Sequence, residues 1–396
     1  MINKVLIAAP DFPFPPTYGG AADIWGRILV LVSMGLEVHL ICAPKNQPDS
    51  DSIATVEEKV ASLILVDRKN KLTDLVRKYP LQVTSRKGLQ LHTFVSEYDL
   101  LLLESEYVGA ILENKTLKYN NIALRVHNNE SKYFWALYKS SKGLSKFYYA
   151  LEAWKFTKYQ KKINKLVNNY LFISKDECDN FLENNNKEGL TTYHLPPPLI
   201  QVKRERSLVA NNVLFVGSLF MPNNIEALNW YLNHVHPKLK KVKDYKLIIA
   251  GSTKGKNNTY LDKLSKTDNT IEYFPDVLHL EPIYEKGSVF INPMVNGAGV
   301  KMKSIHAIQE GLPVVSTTVG MEGTGLKPGV HFKLADSPHD FAEAIKCLLN
   351  NFDDRKFMVK HAQEHLMKYY NQANILKEFF SNIDRDHGVE NQKLSQ

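Results

Sequence analysis

Cysteine is scarce in this chain: Cys42, Cys178 and Cys347 are all it has, and they lie far apart. They match neither a disulfide framework nor a metal-ligand spacing, which fits a reducing compartment. Long apolar runs are missing too. None approaches the roughly 20 residues needed to cross a bilayer. The opening MINKVLIAAP runs straight into a strand pattern and is expected not to serve as a secretory signal. No G-x-G-x-x-G follows the first strand, and no acidic residue closes the second, which disfavours a dinucleotide site. Basic residues are scattered rather than striped, and no nucleic-acid motif is present, so nucleic acid is not the expected partner. No repeat of short period appears.

What is present supports full-sized cores. The chain has 396 residues, 44% of them hydrophobic, enough for two or three domains. Its formal net charge of +8 favours anionic partners, a nucleotide or a membrane surface among them. Residues 289–318 organise the rest. Val289–Ile291 reads as a buried strand, Asn296-Gly297-Ala298-Gly299 as a turn, and Ser304–Glu310 as a helix stopped by Gly311-Leu312-Pro313. Val314-Val315 then starts another strand. This is one βαβ step of a doubly wound sheet, whose ligands bind beyond the carboxyl ends of the strands. Flexible glycines, a helix start, Lys301 and Lys303 meet at that end, and a phosphorylated ligand is the natural occupant. An ordinary βα turn with solvated lysines is the competing reading.

The N-terminus repeats the scheme. Lys4–Ala9 is a buried strand, and a proline-rich loop closes with Gly19-Gly20 before a helix over Ala21–Met34. Backbone at that glycine pair can approach a phosphate or sugar closely, although a plain turn also explains it. Tyr98–Leu103 delivers Glu104-Ser105-Glu106 to the sheet edge, a pair of carboxylates suited to acid–base work or to a helix start. Ile122–Val126 delivers His127, at the right place for a ligand contact but equally readable as structural. Lys132–Lys165 reads as helical, with Phe147, Leu151, Trp154 and Tyr159 on one face and Lys155, Lys158, Lys161, Lys162 and Lys165 around the rest. Such a helix either rests on an anionic leaflet or is a core helix with a solvated basic face. Tyr170–Ile173 is expected as the last strand of this half, and His194-Leu195-Pro196-Pro197-Pro198 as a stiff linker. Strands and helices then restart at Val213–Val216; the last twelve residues look frayed.

The segments FVGSLFMPNNIEALNWY, LIIAG and VFINPMVNGAGVKMKSIHAIQEGLPVVSTTVGMEGTGL resemble the donor-binding half of GT-B glycosyltransferases of the retaining family 4 type, in the branch with a GAG turn. PDFPFPPTYGGAADIW and LRVHNNES resemble the acceptor half. The resemblance implies an α/β GT-B fold of two Rossmann-like doubly wound domains facing a central cleft. An acceptor-binding domain would cover 1–195 and a nucleotide-sugar-binding domain 196–374, with a helix at about 375–390 packing back on the first. It also implies sugar transfer from a nucleotide-sugar to a glycan or lipid-linked acceptor, in bacterial surface polysaccharide or lipopolysaccharide assembly. The anomeric configuration would be retained, and no metal or separate cofactor would be needed. The setting would be cytoplasmic, peripheral to the inner face of the plasma membrane.

The catalytic residues implied are His127, against the transferred sugar, and Lys303, which would offset the departing diphosphate's charge. Donor contacts would come from Gly19 and Gly20, from Gly217, Ser218 and Asn223, from Gly297, Ala298, Gly299, Val300 and Lys301, and from His306 and Glu310. The sequence departs from the family at two glutamates of the motif, where Ala298 and His306 stand, and at an arginine replaced within Ser218-Leu219-Phe220. His306 can accept a hydrogen bond from a ribose hydroxyl, but more weakly than a carboxylate. A catalytically degenerate GT-B binding protein is the alternative these departures leave open. A GT-B phosphorylase or epimerase is disfavoured, because no pyridoxal-phosphate lysine pattern is present and the glycines differ.

Overall fold

The computed structural model describes residues 2–393 apart from 17–18, 70–73, 76, 142, 186, 200–201, 203–209, 256–257, 278 and 298. The chain divides into two compact units, Met1–Pro198 with Asn371–Gln396, and Leu199–Tyr370.

The first unit contains β1 (Lys4–Ala9), α1 (Gly19–Ser33), β2 (Glu37–Cys42), α2 (Ser50–Glu57) and β3 (Ser62–Leu65). Two short helices follow, α3 (Leu81–Thr84) and α4 (Gly88–Leu91), then β4 (Glu97–Leu103) and β5 (Lys118–Val126). It continues with α5 (Glu130–Ser140), α6 (Leu144–Leu166), β6 (Asn169–Phe172), α7 (Lys175–Glu183) and β7 (Thr191–His194). The strands form one parallel sheet in the order β3-β2-β1-β4-β5-β6-β7. β1 and the end of β4 are continuous apolar runs because helices cover both faces. Val5, Ile7, Leu40 and Leu102 pack one face with Ile24 and Ile28 of α1. Leu6, Leu101 and Leu124 pack the other with Tyr159 and Ile163 of α6.

The second unit runs β8 (Asn212–Val216), α8 (Pro222–His234), α9 (His236–Leu239), β9 (Lys246–Gly251), α10 (Thr259–Thr267), β10 (Ile271–Pro275), α11 (Glu281–Lys286) and β11 (Val289–Asn292). Then come α12 (Met302–Gln309), β12 (Val314–Ser316), β13 (Lys333–Leu334), α13 (Pro338–Asn350) and α14 (Phe352–Tyr369). Its sheet is also parallel, ordered β10-β9-β8-β11-β12-β13. The last helix, α15 (Gln372–Lys393), belongs to the first unit, where Leu376, Phe379 and Ile383 are buried against the α1 layer.

Strand order reverses between β1 and β4 in one sheet and between β8 and β11 in the other. At such a reversal neighbouring loops leave in opposite directions and open a crevice. Both candidate sites lie at these points.

Several sequence expectations need correction. Tyr170–Ile173 is not the last strand of its half; β7 follows and ends in His194. The proline run after it packs against its own unit: Leu195–Pro198 is buried, and the Pro196 carbonyl accepts from Gln372 Nε2 at 2.5 Å. The helical stretch 132–165 is two helices, broken where Gly143 takes a φ of 63°. Of the apolar face Tyr159 is buried whereas Phe147, Leu151 and Trp154 are exposed, and Lys155, expected on the solvated basic face, turns inward; its Nζ donates to Leu75 O at 2.6 Å and to Glu152 at 3.2 Å. Of the last twelve residues, those up to Lys393 continue α15, and 394–396 lie outside the described residues.

Candidate functional site

In the second unit the site begins where β8 ends. Gly217 and Ser218 turn the chain toward Asn223 and Asn224 in the first turn of α8. The β8 and β9 ends approach closely here. A Cβ on Gly251 would lie 1.8 Å from the Gly217 carbonyl oxygen, so only glycine fits. From β11 the chain enters the glycine turn. Asn296 Nδ2 donates to both oxygens of Glu226 on α8, at 3.0 and 3.1 Å. Gly297 has φ +138° and Gly299 φ +80°, both outside the range of ordinary side-chain residues. A Cβ on Gly297 would sit 3.3 Å from Asn223 Nδ2 and 3.9 Å from Lys301 Nζ. Ala298 lies outside the described residues.

The two lysines behave differently. Lys301 is buried; its Nζ donates to the Gly299 carbonyl at 2.7 Å and lies 3.5 Å from Glu322. It therefore holds the turn closed. Lys303 Nζ donates to Asn224 Oδ1 at 2.8 Å and sits 5.1 Å from the centroid of the Phe215 ring. Asn224 in turn donates to Ser218 O at 3.1 Å, so one chain of hydrogen bonds ties α12, α8 and the β8 turn together. No carboxylate among the described residues pairs with Lys303. Burial, reinforced by the neighbouring charge of Lys301, pushes its pKa down to about 7. A half-buried ammonium with no described carboxylate partner, next to a glycine turn and a helix start, is an arrangement an anion completes.

His306 follows Lys303 by three residues and Glu310 by seven, so spacing puts them on one side of α12. His306 is half-buried, and burial lowers its pKa, so the neutral ring can offer an acceptor nitrogen. Glu310 caps the helix, its N–H donating to His306 O at 2.9 Å. Val300 borders the turn, in contact range of Gly323. Behind it, Asn292 Nδ2 donates to Ser304 Oγ at 2.9 Å and to Gly320 O at 2.6 Å. That buried polar lock fixes where α12 starts.

In the first unit Gly19 and Gly20 are themselves the first turn of α1, with Gly19 exposed and Gly20 half-buried. The helix starts two residues earlier than its apolar spacing predicts, leaving its first N–H groups at the carboxyl end of β1. One turn on, Asp23 and Arg27 enter a fully buried ion cluster. Arg27 forks onto Glu104 at the end of β4, with Nε to Oε1 at 2.7 Å and Nη2 to Oε2 at 2.8 Å. Arg27 also donates to Asp23 at 2.5 Å. Arg125 of β5 forks onto Asp23 from Nε and Nη2, each at 3.0 Å, and donates to the Leu195 carbonyl. Burial alone would raise the two carboxyls. Arg125 and Arg27 outweigh it for Asp23, and Arg27 outweighs it for Glu104, so both stay below the usual range.

His127 rests on this cluster. Its Nδ1 is 3.7 Å from Asp23 and its Nε2 is 3.6 Å from Glu104, and one-fifth of the side chain reaches solvent. Asp23, Glu104 and His127 also form the one trio among the described residues whose ligand atoms lie within 4.8 Å of one another. Both carboxylates are already engaged by guanidinium groups, so a cation there would compete with two fixed positive charges. The Glu104-Ser105-Glu106 pair does not act as a unit. Glu104 joins the arginines, whereas Glu106 accepts from Gln160 at 3.0 Å, and burial, then Glu130, pushes its pKa up to about 8.

Sequence reasoning missed Asp23, Arg27, Arg125, Asn224 and Glu322. Arg125 carried a legible signal: a charge inside a buried parallel strand must find a partner. Asp23 and Arg27, four apart in an apolar helix, carried another.

Residues 210–351 match the family model described as "Glycosyl transferases group 1". Over 388 residues, 95% of this chain and 99% of the other, the chain is 37% identical to an uncharacterized 44.6 kDa protein in the cps region of Klebsiella pneumoniae. The chain belongs to the group 1 glycosyltransferases. Solved structures agree on the fold. TarM, from S. aureus, superposes with a TM-score of 0.69 at 10% identity, covering 96% of this chain and 98% of that one. Anabaena HepE in complex with UDP and glucose gives 0.64 at 12% identity, over 96% and 99%. The enzyme thus has the GT-B fold with two parallel Rossmann-like sheets, as the sequence motifs implied. No helix of this glycosyltransferase, among the described residues, is long and apolar enough to cross a membrane.

Proposed function

We propose that the enzyme transfers a sugar, with retention of configuration, from a nucleotide-sugar to a glycan or lipid-linked acceptor in bacterial surface polysaccharide assembly. The observation that carries this reading is Lys303, a half-buried ammonium whose hydrogen bond to Asn224 leaves its charge without a described carboxylate partner at the glycine turn. A diphosphate placed there would gain a fixed cation, the N–H groups of the turn and the α12 start without reorganisation. Lys301 would fix the conformation of the turn by holding Gly299, and His306 would accept from a ribose hydroxyl. His127 would meet the transferred sugar, held from below by Asp23 and Glu104. The cps-region relative favours a capsule-type product, and the UDP in the HepE complex makes a uridine nucleotide the first donor to test.

The acceptor side has one suggestive feature. A cavity of about 260 Å³ at the carboxyl ends of β2 and β3 is lined by Lys45, Arg68 and Lys69, with Asp67 the one acid among the described lining residues. Arg68 Nε is buried there without a partner, which suits an acceptor bearing a carboxylate or phosphate.

A panel of nucleotide-sugars screened by thermal shift tests the donor, since a ligand bound only to the native state raises its melting temperature. NMR of the product then reads the anomeric configuration. Retention is expected; an inverted product, or no stabilisation by any nucleotide-sugar, would overturn the proposal.

Lys303 supplies a second test. Its pKa of about 7 in the free enzyme must rise when a diphosphate arrives, so binding between about pH 7.5 and 9 should take up a proton. Calorimetry of UDP binding in buffers of different ionisation enthalpy measures that uptake. An uptake approaching one proton at pH 8, absent in Lys303→Met, is expected; none in the wild type would remove Lys303 from the phosphate site.

A further inference from the structure

The helical hairpin of α5 and α6 carries a feature that sugar transfer does not use. Its core side is ordinary: Phe134 stacks on Phe156 at 5.1 Å, and Ala153 packs between the helices. Its outer side is not. Phe147 is 76% exposed, Trp154 51% and Leu151 39%, large apolar groups left in water on one helix. Single exposed apolar residues are common, but a contiguous patch calls for an occupant.

The stripe has a direction. Phe147, Leu151 and Trp154 are followed on the same helix by exposed Lys158, Lys161 and Lys165. At 100° per residue all six fall within roughly 80° of one another. Apolar groups thus occupy one end of a single outward face and lysines the other. Lys158 Nζ lies 3.7 Å from the centroid of the Trp154 ring, joining the two halves. The hairpin's acidic residues are both turned inward: Glu130 is 7% exposed and Glu152 fully buried, the latter paired with Lys155. Its outer surface therefore carries positive charge with no negative charge to offset it. Neighbouring α5 adds exposed Trp135 and Lys139.

We propose that this face docks on an anionic lipid surface. Phe147, Leu151 and Trp154 enter the boundary between headgroups and acyl chains, and the lysines sit among the anionic headgroups. The charge pattern selects the occupant. A second copy of the same strongly basic face would be repelled, and a purely apolar protein groove would leave three lysines unmatched. A bilayer offers both chemistries at once, and amphipathic helices rich in Lys and aromatic residues bind there in-plane. Each lysine near a negative leaflet is expected to strengthen partitioning by about fivefold. The contact is independent of the donor reading and would bring a lipid-linked acceptor to the enzyme.

Flotation of the full-length protein with vesicles tests this. Binding to vesicles of phosphatidylglycerol mixed with phosphatidylcholine should exceed binding to phosphatidylcholine alone by more than tenfold. It should weaken as salt rises from about 0.1 to 0.5 M. Phe147→Ser combined with Trp154→Ser, and separately Lys158→Glu combined with Lys161→Glu, should each reduce the bound fraction more than tenfold. All four positions are exposed, so melting temperature and stabilisation by UDP should match the wild type. Equal binding to neutral vesicles, or unchanged binding by both double variants, would overturn the proposal. So would a solution dimer that Phe147→Ser with Trp154→Ser converts to monomer, because it would assign the face to self-association.

Discussion

Replacing Lys303 with alanine is expected to lower kcat for sugar transfer by a factor on the order of 10² to 10³, the loss typical of removing one preorganised charge-stabilising group. As the sugar leaves, negative charge accumulates on the diphosphate. A cation already half-buried, already oriented by Asn224 and paired with no described carboxylate stabilises that charge more than it does the ground state. Because the interaction strengthens in the transition state, kcat should fall more than KM rises. The effect on folding should have the opposite sign. The folded pKa of Lys303, about 7 against an ordinary 10.5, means that the unfolded chain holds its proton more tightly. Stability contributed through this residue is therefore greatest above about pH 10.5 and declines as pH falls toward 7, where the group becomes charged within the fold. Lys303→Ala removes that decline and should leave the melting temperature at pH 7 unchanged or raised. Wild-type kcat in a stably folded variant would end Lys303's catalytic assignment.

Arg125→Met is expected to produce the largest loss of stability. Asp23 would lose a two-pronged partner while remaining fully buried, and truncating one side of a buried ion pair costs about 3–5 kcal/mol. For a unit of this size that lowers the melting temperature by on the order of 10 °C. The pH dependence has a definite sign. Asp23 and Glu104 have folded pKa values below their unfolded ones, so their contribution is present above the unfolded values and is lost as pH falls through the folded ones. The wild type should therefore lose stability in acid, and Arg125→Met should show a smaller acid loss from an already lower starting point. A melting temperature within 2 °C of the wild type, checked by circular dichroism across pH 3–8, would mean the ion cluster is dispensable. His127 should lose its fixed orientation in the same variant, because Asp23 supports one of its ring nitrogens.

The glycine turn shows how far local chemistry reaches. Asn296-Gly297-Ala298-Gly299 between a buried strand and a helix is a pattern that names its own backbone conformations, and Gly297 and Gly299 adopt them. The order of strands and helices, including the restart after the proline run, was legible for the same reason: buried parallel strands read as short apolar runs between turn residues. Local pattern was weaker where a segment's environment is set by distant parts of the chain. β7 is half-buried at a sheet edge, with Thr-Thr-Tyr-His offering no apolar run to read. Lys155 looked like part of a solvated basic face, but its bonds to Glu152 and the Leu75 carbonyl drew it inward.

The sequence by itself determined two doubly wound α/β halves, the family, and the positive-φ glycines at 297 and 299, because each depends on neighbours within a few residues. Only the tertiary structure decided which lysine holds the turn and which faces it with an unpaired charge, since Glu322 and Asn224 come from other elements. It also decided that Asp23, Arg27, Glu104 and Arg125 converge beneath His127. Those residues are spread over two strands and a helix, and only the parallel register of β1, β4 and β5 with α1 laid across them brings their charges within reach of one another.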